Sequence, residues 1–168
     1  NWTGAALDDW DDPGVSGAVT LSEETVLFDT GPSCAKIEKT AGSTPAHSSY
    51  LSADVTATTE GAFFKATVRR NLTAFTPDTA VYYVLAYALG ANAEIDISAD
   101  VATADAGWTT VALSGYLPAG TTGIRLFLRI GRPADPQTSA TTYTAYWDNA
   151  SVKRITGAGL SVYTTAAL

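Results

Sequence analysis

The sequence predicts an all-β fold, a jelly-roll β-sandwich of two antiparallel sheets. Short segments in which apolar and polar residues alternate recur along the whole chain, as in half-buried strands. The residues between them are mainly Gly, Pro, Asp, Ser and Thr, which favour turns. No segment shows sustained helical periodicity. We therefore predict about nine short strands without helices, which is typical of a sandwich or jelly roll.

The predicted strands are 18–21, 25–28, 35–38, 63–69, 81–89, 94–101, 109–113, 123–130 and 143–155. Segment 81–89 is the one ambiguous run, and its β-branched and aromatic start favours a strand. The clearest alternation is in 124–130. One face of that strand carries four aliphatic side chains, which we expect in the core, and the other carries Arg125, Phe127 and Arg129.

The length of 168 residues suits one domain with a substantial core, which we place at 1–155. The Thr- and Ala-rich segment 156–168 is expected to be a tail or linker. No apolar run approaches the roughly 18 residues of a membrane span. The chain also lacks Met and an apolar leader, so we interpret it as a processed product or a piece of a larger protein. We expect it outside the cell or on a virion surface.

The charge balance excludes some partners. With 17 acidic and 10 basic residues the net charge is −7, which argues against nucleic acid and against anionic membranes. The single cysteine, Cys34, allows neither an internal disulfide nor a zinc site built from several cysteines. The redox compartment stays open on this evidence.

Several motifs follow one another in an order that matches a known family. They are Gly-Pro-Ser-Cys-Ala-Lys-Ile at 31–37, Phe-Phe-Lys-Ala-Thr-Val-Arg at 63–69, Gly-Trp-Thr-Thr-Val at 107–111, the aliphatic strand 124–128, and Tyr-Trp-Asp-Asn-Ala-Ser-Val at 146–152. In this order they resemble the family 4/9 carbohydrate-binding modules, from about Trp10 to Ile155. The family's N-terminal Asn-x-x-Phe-Glu segment is not recognisable. The resemblance implies a non-catalytic jelly-roll module that presents a groove to a polysaccharide or cell-surface glycan.

The resemblance also implies a structural calcium ion held partly by Asp148 of the closing strand. Calcium takes six to eight oxygen ligands, so this carboxylate needs others around it. The start segment contains four acidic residues, of which Asp9 is our candidate second ligand. The alternative is that Asp148 accepts backbone hydrogen bonds and that the acidic residues of the start segment form a solvated loop.

Aromatic and planar polar side chains form the candidate ligand site. Sugars present apolar C–H faces and hydroxyl rims, so their sites combine aromatic platforms with donors such as Arg. If the relevant strand faces line one concave sheet, they form a cleft. The alternative is that the tyrosines belong to the core and the arginines pair with the surplus acids. The candidate ligand-binding residues are Arg125, Phe127, Arg129, Tyr83, Tyr87 and Arg69.

The segment Glu-Ile-Asp-Ile-Ser-Ala-Asp at 94–100 resembles the Glu-Ile-Asp-Ile-x-Glu signature of family 16 glycoside hydrolases. Glu94 and Asp96 match two of its acids, but Ser98 stands where the acid/base is expected. A retaining mechanism needs two carboxyl groups about 5–5.5 Å apart. The sole histidine, His47, has no acid beside it in the sequence that would position it in a triad. We therefore expect a protein that is not an enzyme.

A second class of function uses the same fold without sugar binding. Such a chain would be a structural or decoration domain of a phage particle or surface assembly, and its partners would be other virion or assembly proteins. The absence of Met, the unrecognised N-terminal motif and the Ala/Thr-rich end favour this alternative. A fold alone does not choose between the two, because function depends on the site.

Overall fold

The computed structural model describes residues 2–3, 6–7, 10–11, 19–42, 48–52, 55–56, 62–76, 82–99, 101, 103–131, 137–156 and 159–164. In these ranges the chain forms strands and no helix, so none of it is a helix that could cross a membrane. The strands are β1 (Trp2–Thr3), β2 (Ala6–Leu7), β3 (Trp10–Asp11), β4 (Val19–Glu24), β5 (Cys34–Lys39), β6 (Ser48–Ser52), β7 (Val55–Thr56), β8 (Phe63–Thr76), β9 (Tyr82–Leu89), β10 (Ala93–Ile97), β11 (Thr109–Tyr116), β12 (Gly123–Ile130), β13 (Thr142–Thr156) and β14 (Gly159–Thr164).

Two six-stranded sheets contain all the long strands. Sheet I has the order β10-β9-β12-β6-β3, and β7 also pairs with β12. Sheet II has the order β11-β8-β13-β5-β4, and β14 also pairs with β13. The strand pairs within both sheets are antiparallel. The predicted sandwich of two antiparallel sheets is confirmed.

The core lies between the sheets, because side chains of both belong to one buried cluster. The alternation predicted for β12 places its aliphatic residues there. In β13 the alternation places Trp147 there as well, with 1% of its surface exposed. Full burial of such a side chain contributes about 1.5–3 kcal/mol. The cluster includes Ile124, Leu126, Leu128 and Ile130 of sheet I and Ile37, Phe64, Val68, Leu72, Tyr143 and Trp147 of sheet II.

One predicted strand is wrong. Segment 25–28 forms bends between β4 and β5, although it is rich in β-branched and aromatic residues. The side chain of Glu24 accepts the backbone N–H of Val26 at 2.8 Å and that of Leu27 at 3.4 Å, which closes a turn. Val26 is left 87% exposed. The polar cap at the end of β4 therefore outweighs the local strand pattern.

Several observed strands were not predicted. β6 contains three serines and shows no apolar alternation, and its place in sheet I comes from pairing with β12. β14 lies within 156–168, the segment expected to be a tail or linker, and pairs antiparallel with β13 from Thr156 to Val152. Part of that segment is thus joined to sheet II by backbone pairing.

A buried ion pair anchors the connection between β10 and β11. Arg70 of β8 donates from Nε and Nη2 to the two carboxylate oxygens of Asp105, at 2.9 and 2.8 Å. Both side chains are only 7% exposed. The same carboxylate accepts the N–H of Leu72 at 2.9 Å, and the N–H of Asp105 reaches the carbonyl of Leu72 at 2.8 Å. This loop is therefore held against sheet II by charge and by backbone.

The thiol of Cys34 is expected to be unreactive in the folded protein. Cys34 is fully buried and its Sγ donates to the carbonyl of Leu27 at 3.1 Å. Burial, followed by the charges of Asp148 and Glu24, raises the pKa of the thiol from 9.0 to about 12. Because the thiolate is the reactive form, an alkylating reagent at pH 8 should label the folded chain far more slowly than the chain in urea. Equal rates in the two states would contradict the burial.

The same shift predicts how stability depends on pH. The folded state holds the Cys34 proton more tightly than the unfolded state, since its pKa is raised. The contribution of the thiol to the free energy of unfolding is therefore complete below pH 9 and is lost as the pH rises toward 12. Unfolding in urea at a series of alkaline pH values, compared with a Cys34→Ala variant, isolates this contribution.

Candidate functional site

The outer face of sheet I is the face of β9 and β12 that points away from the core. The residues of β12 that alternate with its core residues lie on this face and are half-buried. Directly opposite residues of an antiparallel pair share a face. The register therefore places five of the candidate residues together. The opposed pairs, in order along the two strands, are Arg125 with Tyr87, Phe127 with Leu85, and Arg129 with Tyr83.

Three of these side chains form a stacked cluster. The guanidinium carbon of Arg129 lies 4.2 Å from the ring centroid of Phe127. The rings of Phe127 and Tyr87 make an edge-to-face contact, with centroids 6.0 Å apart and planes at 88°. Both contacts are attractive for electrostatic reasons. The Nε atom of Arg129 is buried and has no hydrogen-bond partner among the described residues. The stack therefore combines an aromatic platform with an unsatisfied donor.

Tyr83 and Leu85 are more buried than their neighbours on this face. Their exposed fractions are 3% and 2%, although neither belongs to the cluster between the sheets. Tyr83 is thus buried, as the alternative for the tyrosines predicts. Its side chain, however, lies on the outer face of sheet I and not in the core between the sheets. Tyr87, by contrast, is half-buried. The solvent-reachable part of the candidate site consists of Tyr87, Arg125, Phe127 and Arg129.

Arg69 does not join this face, because β8 belongs to sheet II. Its Nε and Nη2 donate to the two carboxylate oxygens of Asp29, each at 2.8 Å, and its Nη1 donates to the hydroxyl of Thr110 at 2.8 Å. The hydrogen bonds from this guanidinium hold the pKa of the Asp29 carboxyl below its usual value. Arg69 thus holds the loop between β4 and β5 against sheet II. Arg69 is therefore not part of a cleft formed by the other five candidate residues.

Asp148 is satisfied by backbone donors. It is 1% exposed, and its Oδ2 accepts the N–H groups of Asp29 and Thr30, both at 2.9 Å. Its Oδ1 accepts the N–H of Asn149 at 2.8 Å. These three hydrogen bonds are those of the alternative stated for Asp148. A carboxylate has about four lone-pair sites, so a calcium ion bound to Asp148 stays a prediction.

Asp9, the second candidate calcium ligand, lies outside the described residues. Among the described residues, no group of three or more His, Cys, Asp and Glu side chains could hold a metal ion. A structural calcium ion involving the start segment stays a prediction.

The acids of β10 do not share one face. A bulge between Glu94 and Asp96 changes the alternation, so that these residues pair with Tyr87 and Ala86, which are adjacent on β9. Neighbouring positions on a strand point to opposite faces. The two carboxylates therefore diverge, unlike those of a catalytic strand with alternating acids. The bulge also brings Glu94 and the 43%-exposed Ile97 to the outer face of sheet I, which strict alternation would not predict.

Asp96 and Ser98 have structural partners instead. Oδ2 of Asp96 accepts the N–H of Ser114 in β11 at 2.8 Å, which links an edge strand of sheet I to an edge strand of sheet II. The hydroxyl of Ser98 accepts the N–H of Val84 at 2.9 Å, and the N–H of Ser98 donates to the carbonyl of Val84 at 2.8 Å. These bonds close the sandwich at this edge and give Asp96 and Ser98 a structural role.

Comparisons by sequence identify no relative: no protein family matches the chain, and no curated protein matches it. Comparisons by structure do. The CBM22-1 xylan-binding domain of Paenibacillus barcinonensis Xyn10C aligns with a TM-score of 0.54 at 12% identity, over 92% of this chain and 91% of that one. Modules of families 16 and 61 align as well. The chain has the jelly-roll fold of carbohydrate-binding modules. The aligned modules belong to families 22, 16 and 61, and membership of family 4/9 stays a prediction.

Enzymes and a virion protein also share this fold. An endo-β-1,4-glucuronan lyase from the fungus Trichoderma reesei aligns with a TM-score of 0.60 at 12% identity, over 88% of this chain and 92% of the lyase. The enzymatically active domain of tailspike protein 4 from bacteriophage CBA120 aligns with a TM-score of 0.62 at 11% identity, over 88% of this chain. The chain spans only 20% of the length of that tailspike domain. At these identities the likeness establishes the fold and leaves the function to the site.

Proposed function

We propose that this chain is a non-catalytic carbohydrate-binding domain that binds a polysaccharide or cell-surface glycan on the outer face of sheet I. The observation that carries the proposal is the stack of Arg129, Phe127 and Tyr87 on a half-buried surface. An aromatic ring can pack against the C–H face of a sugar, and a guanidinium beside it can donate to the oxygens at the rim. Modules with the same fold carry names that state xylan binding or a bound galactotriose.

We also propose that the domain does not cleave the glycan that it binds. The divergent carboxylates of Glu94 and Asp96 support it, because a retaining glycosidase needs its two carboxyl groups on one side of the bond, about 5–5.5 Å apart. Incubation with each bound polysaccharide should release no reducing ends and no unsaturated sugars. A glycan-binding role also places the domain outside a cell or on a virion surface.

Replacement of Phe127 by alanine should weaken glycan binding by at least about tenfold, or ~1.4 kcal/mol. The change removes the ring that stacks on Arg129 and contacts Tyr87, and with it the platform for a sugar. The measurement is affinity electrophoresis in gels containing xylan, glucan and other polysaccharides, with a glycan array to find further ligands.

A matched control is Tyr116→Ala. Tyr116 is an aromatic residue of β11 that is 70% exposed, and its edge-to-face partner is Phe63 in sheet II. Its loss should leave glycan binding unchanged. Equal binding by the wild type and the Phe127→Ala variant would place the site elsewhere, and absence of binding to any glycan would refute the proposed function.

The second candidate is a structural domain of a virion or another surface assembly, which the alignment with a phage tailspike favours. Such a domain would contact other virion or assembly proteins through its surface. Light scattering and glycan arrays separate the two candidates. A symmetric oligomer without glycan binding would support the structural role.

A further inference from the structure

We propose that Arg129 binds a carboxylate of the glycan, so that the ligand class is an acidic polysaccharide with uronic acid units. This inference rests on the proposed function and assigns a chemistry to the same face. The guanidinium of Arg129 is stacked on Phe127, and within the part of the chain that the structure describes its Nε is buried without a hydrogen-bond partner.

Two other arginines show what a guanidinium does when a carboxylate is within reach. Arg69 donates through two nitrogens to Asp29, and Arg70 does the same to Asp105. The chain has 17 acidic and 10 basic residues, so carboxylates are in excess. Among the described residues, no ion pair nevertheless involves Arg129. A desolvated donor on a charged group is costly unless an acceptor satisfies it.

A carboxylate is the acceptor that suits this guanidinium best. The planar fork of arginine matches a carboxylate with two parallel hydrogen bonds, and such charged pairs are about twice as strong as neutral ones. The contact with Phe127 holds the plane of the fork over the ring. A sugar packed on the exposed part of that ring, with its carboxylate turned toward the half-buried guanidinium of Arg129, would use the aromatic platform and the positive charge together.

The charged residues around the outer face of sheet I determine at which end of β12 the carboxylate of the ligand binds. Glu94 is exposed and pairs with Tyr87, which in turn pairs with Arg125, so the three share one row across sheet I. Arg129 lies four residues farther along β12, about 13 Å from that row. The carboxylate of Glu94 would repel an anion at the Arg125 end, whereas the Arg129 end is distant from it. The acidic group of the ligand therefore belongs at Arg129.

Binding of polygalacturonate, compared with the same polymer after chemical reduction of its carboxyl groups, tests the inference. We expect the wild type to bind the acidic polymer at least about tenfold more tightly, and this preference should shrink as salt is added. Arg129→Gln should abolish the preference, so that the acidic and the reduced polymer bind this variant with equal affinity, and Arg129→Lys should retain only part of it. Lys65→Gln, which removes an exposed positive charge from sheet II, should leave the preference unchanged.

Each outcome bears on one claim. Equal binding of the acidic and reduced polymers by the wild type would overturn the acidic ligand class and leave the carbohydrate-binding function standing. A preference that persists in Arg129→Gln would overturn the assignment to this arginine. If neither these polymers nor any glycan on an array binds, the proposed function itself fails. The comparison of polymers on the wild type does not depend on the folding of any variant.

Discussion

Replacement of Asp105 by alanine is expected to lower the free energy of unfolding by roughly 3–5 kcal/mol, because it leaves the guanidinium of Arg70 buried beside an empty space. The carboxylate of Asp105 receives two hydrogen bonds from Arg70 and one from the N–H of Leu72. With both ionic side chains 7% exposed, water cannot replace these bonds fully. Equilibrium unfolding in urea, followed by tryptophan fluorescence, measures the loss.

The control is an ion pair of similar length on the surface. Lys36 and Glu38 are 2.6 Å apart with side chains 24% and 39% exposed, so Glu38→Ala should cost less than about 1 kcal/mol. The double change Arg70→Met with Asp105→Leu should recover most of the stability lost in Asp105→Ala, since it removes both buried charges of this pair. A loss below about 1 kcal/mol in Asp105→Ala would contradict the burial of this pair.

Replacement of Asp148 by alanine should cost roughly 3 kcal/mol, because three backbone N–H groups lose a charged acceptor. Two of these groups belong to the loop between β4 and β5, which Asp148 holds against β13. The salt bridge between Arg69 and Asp29 remains and should keep part of the loop in place. Asp148→Asn retains a carbonyl acceptor and should lose less stability.

The same variant distinguishes a hydrogen-bonded anchor from a calcium ligand. If backbone donors account for the role of Asp148, the difference in melting temperature between wild type and Asp148→Ala is the same with calcium and with a chelator. A difference that disappears when calcium is removed would show that this carboxylate binds the ion. An effect of the chelator on both proteins alike would place calcium at other residues.

Local sequence patterns, such as the alternation of apolar and polar residues, predict much of this fold. β12 begins at Gly123 and ends at Ile130 as expected, because its alternation is strict and turn residues precede and follow it. The outer-face position of Arg125, Phe127 and Arg129 follows from the same alternation. The positions of β8, β9 and β13 are recovered for similar reasons.

Features set by distant partners could not be predicted in this way. Arg69 alternates on β8 as expected, but which sheet contains β8 depends on pairing with β11 and β13. The anchor at Asp148 uses the N–H groups of Asp29 and Thr30, which lie more than a hundred positions away in the chain. The bulge after Glu94 has no marker residue such as glycine. Asn149, with φ of 50°, is a residue type that tolerates this conformation, and it lies at the irregularity of β13 between Asp148 and Ser151.

The position of β13 in sheet II has a consequence for how the chain folds. β13 lies between β5 and β8 and pairs with both, whereas these two strands are not neighbours of each other. During synthesis β5 therefore keeps one unpaired edge, and β8 lacks both of its partners, until first β11 and then the later β13 have been made. Pairings between distant segments are slow to form, and open edges in the meantime favour association with other chains. The step that completes sheet II should thus limit the folding rate, and it is the stage at which the nascent chain is most prone to aggregate.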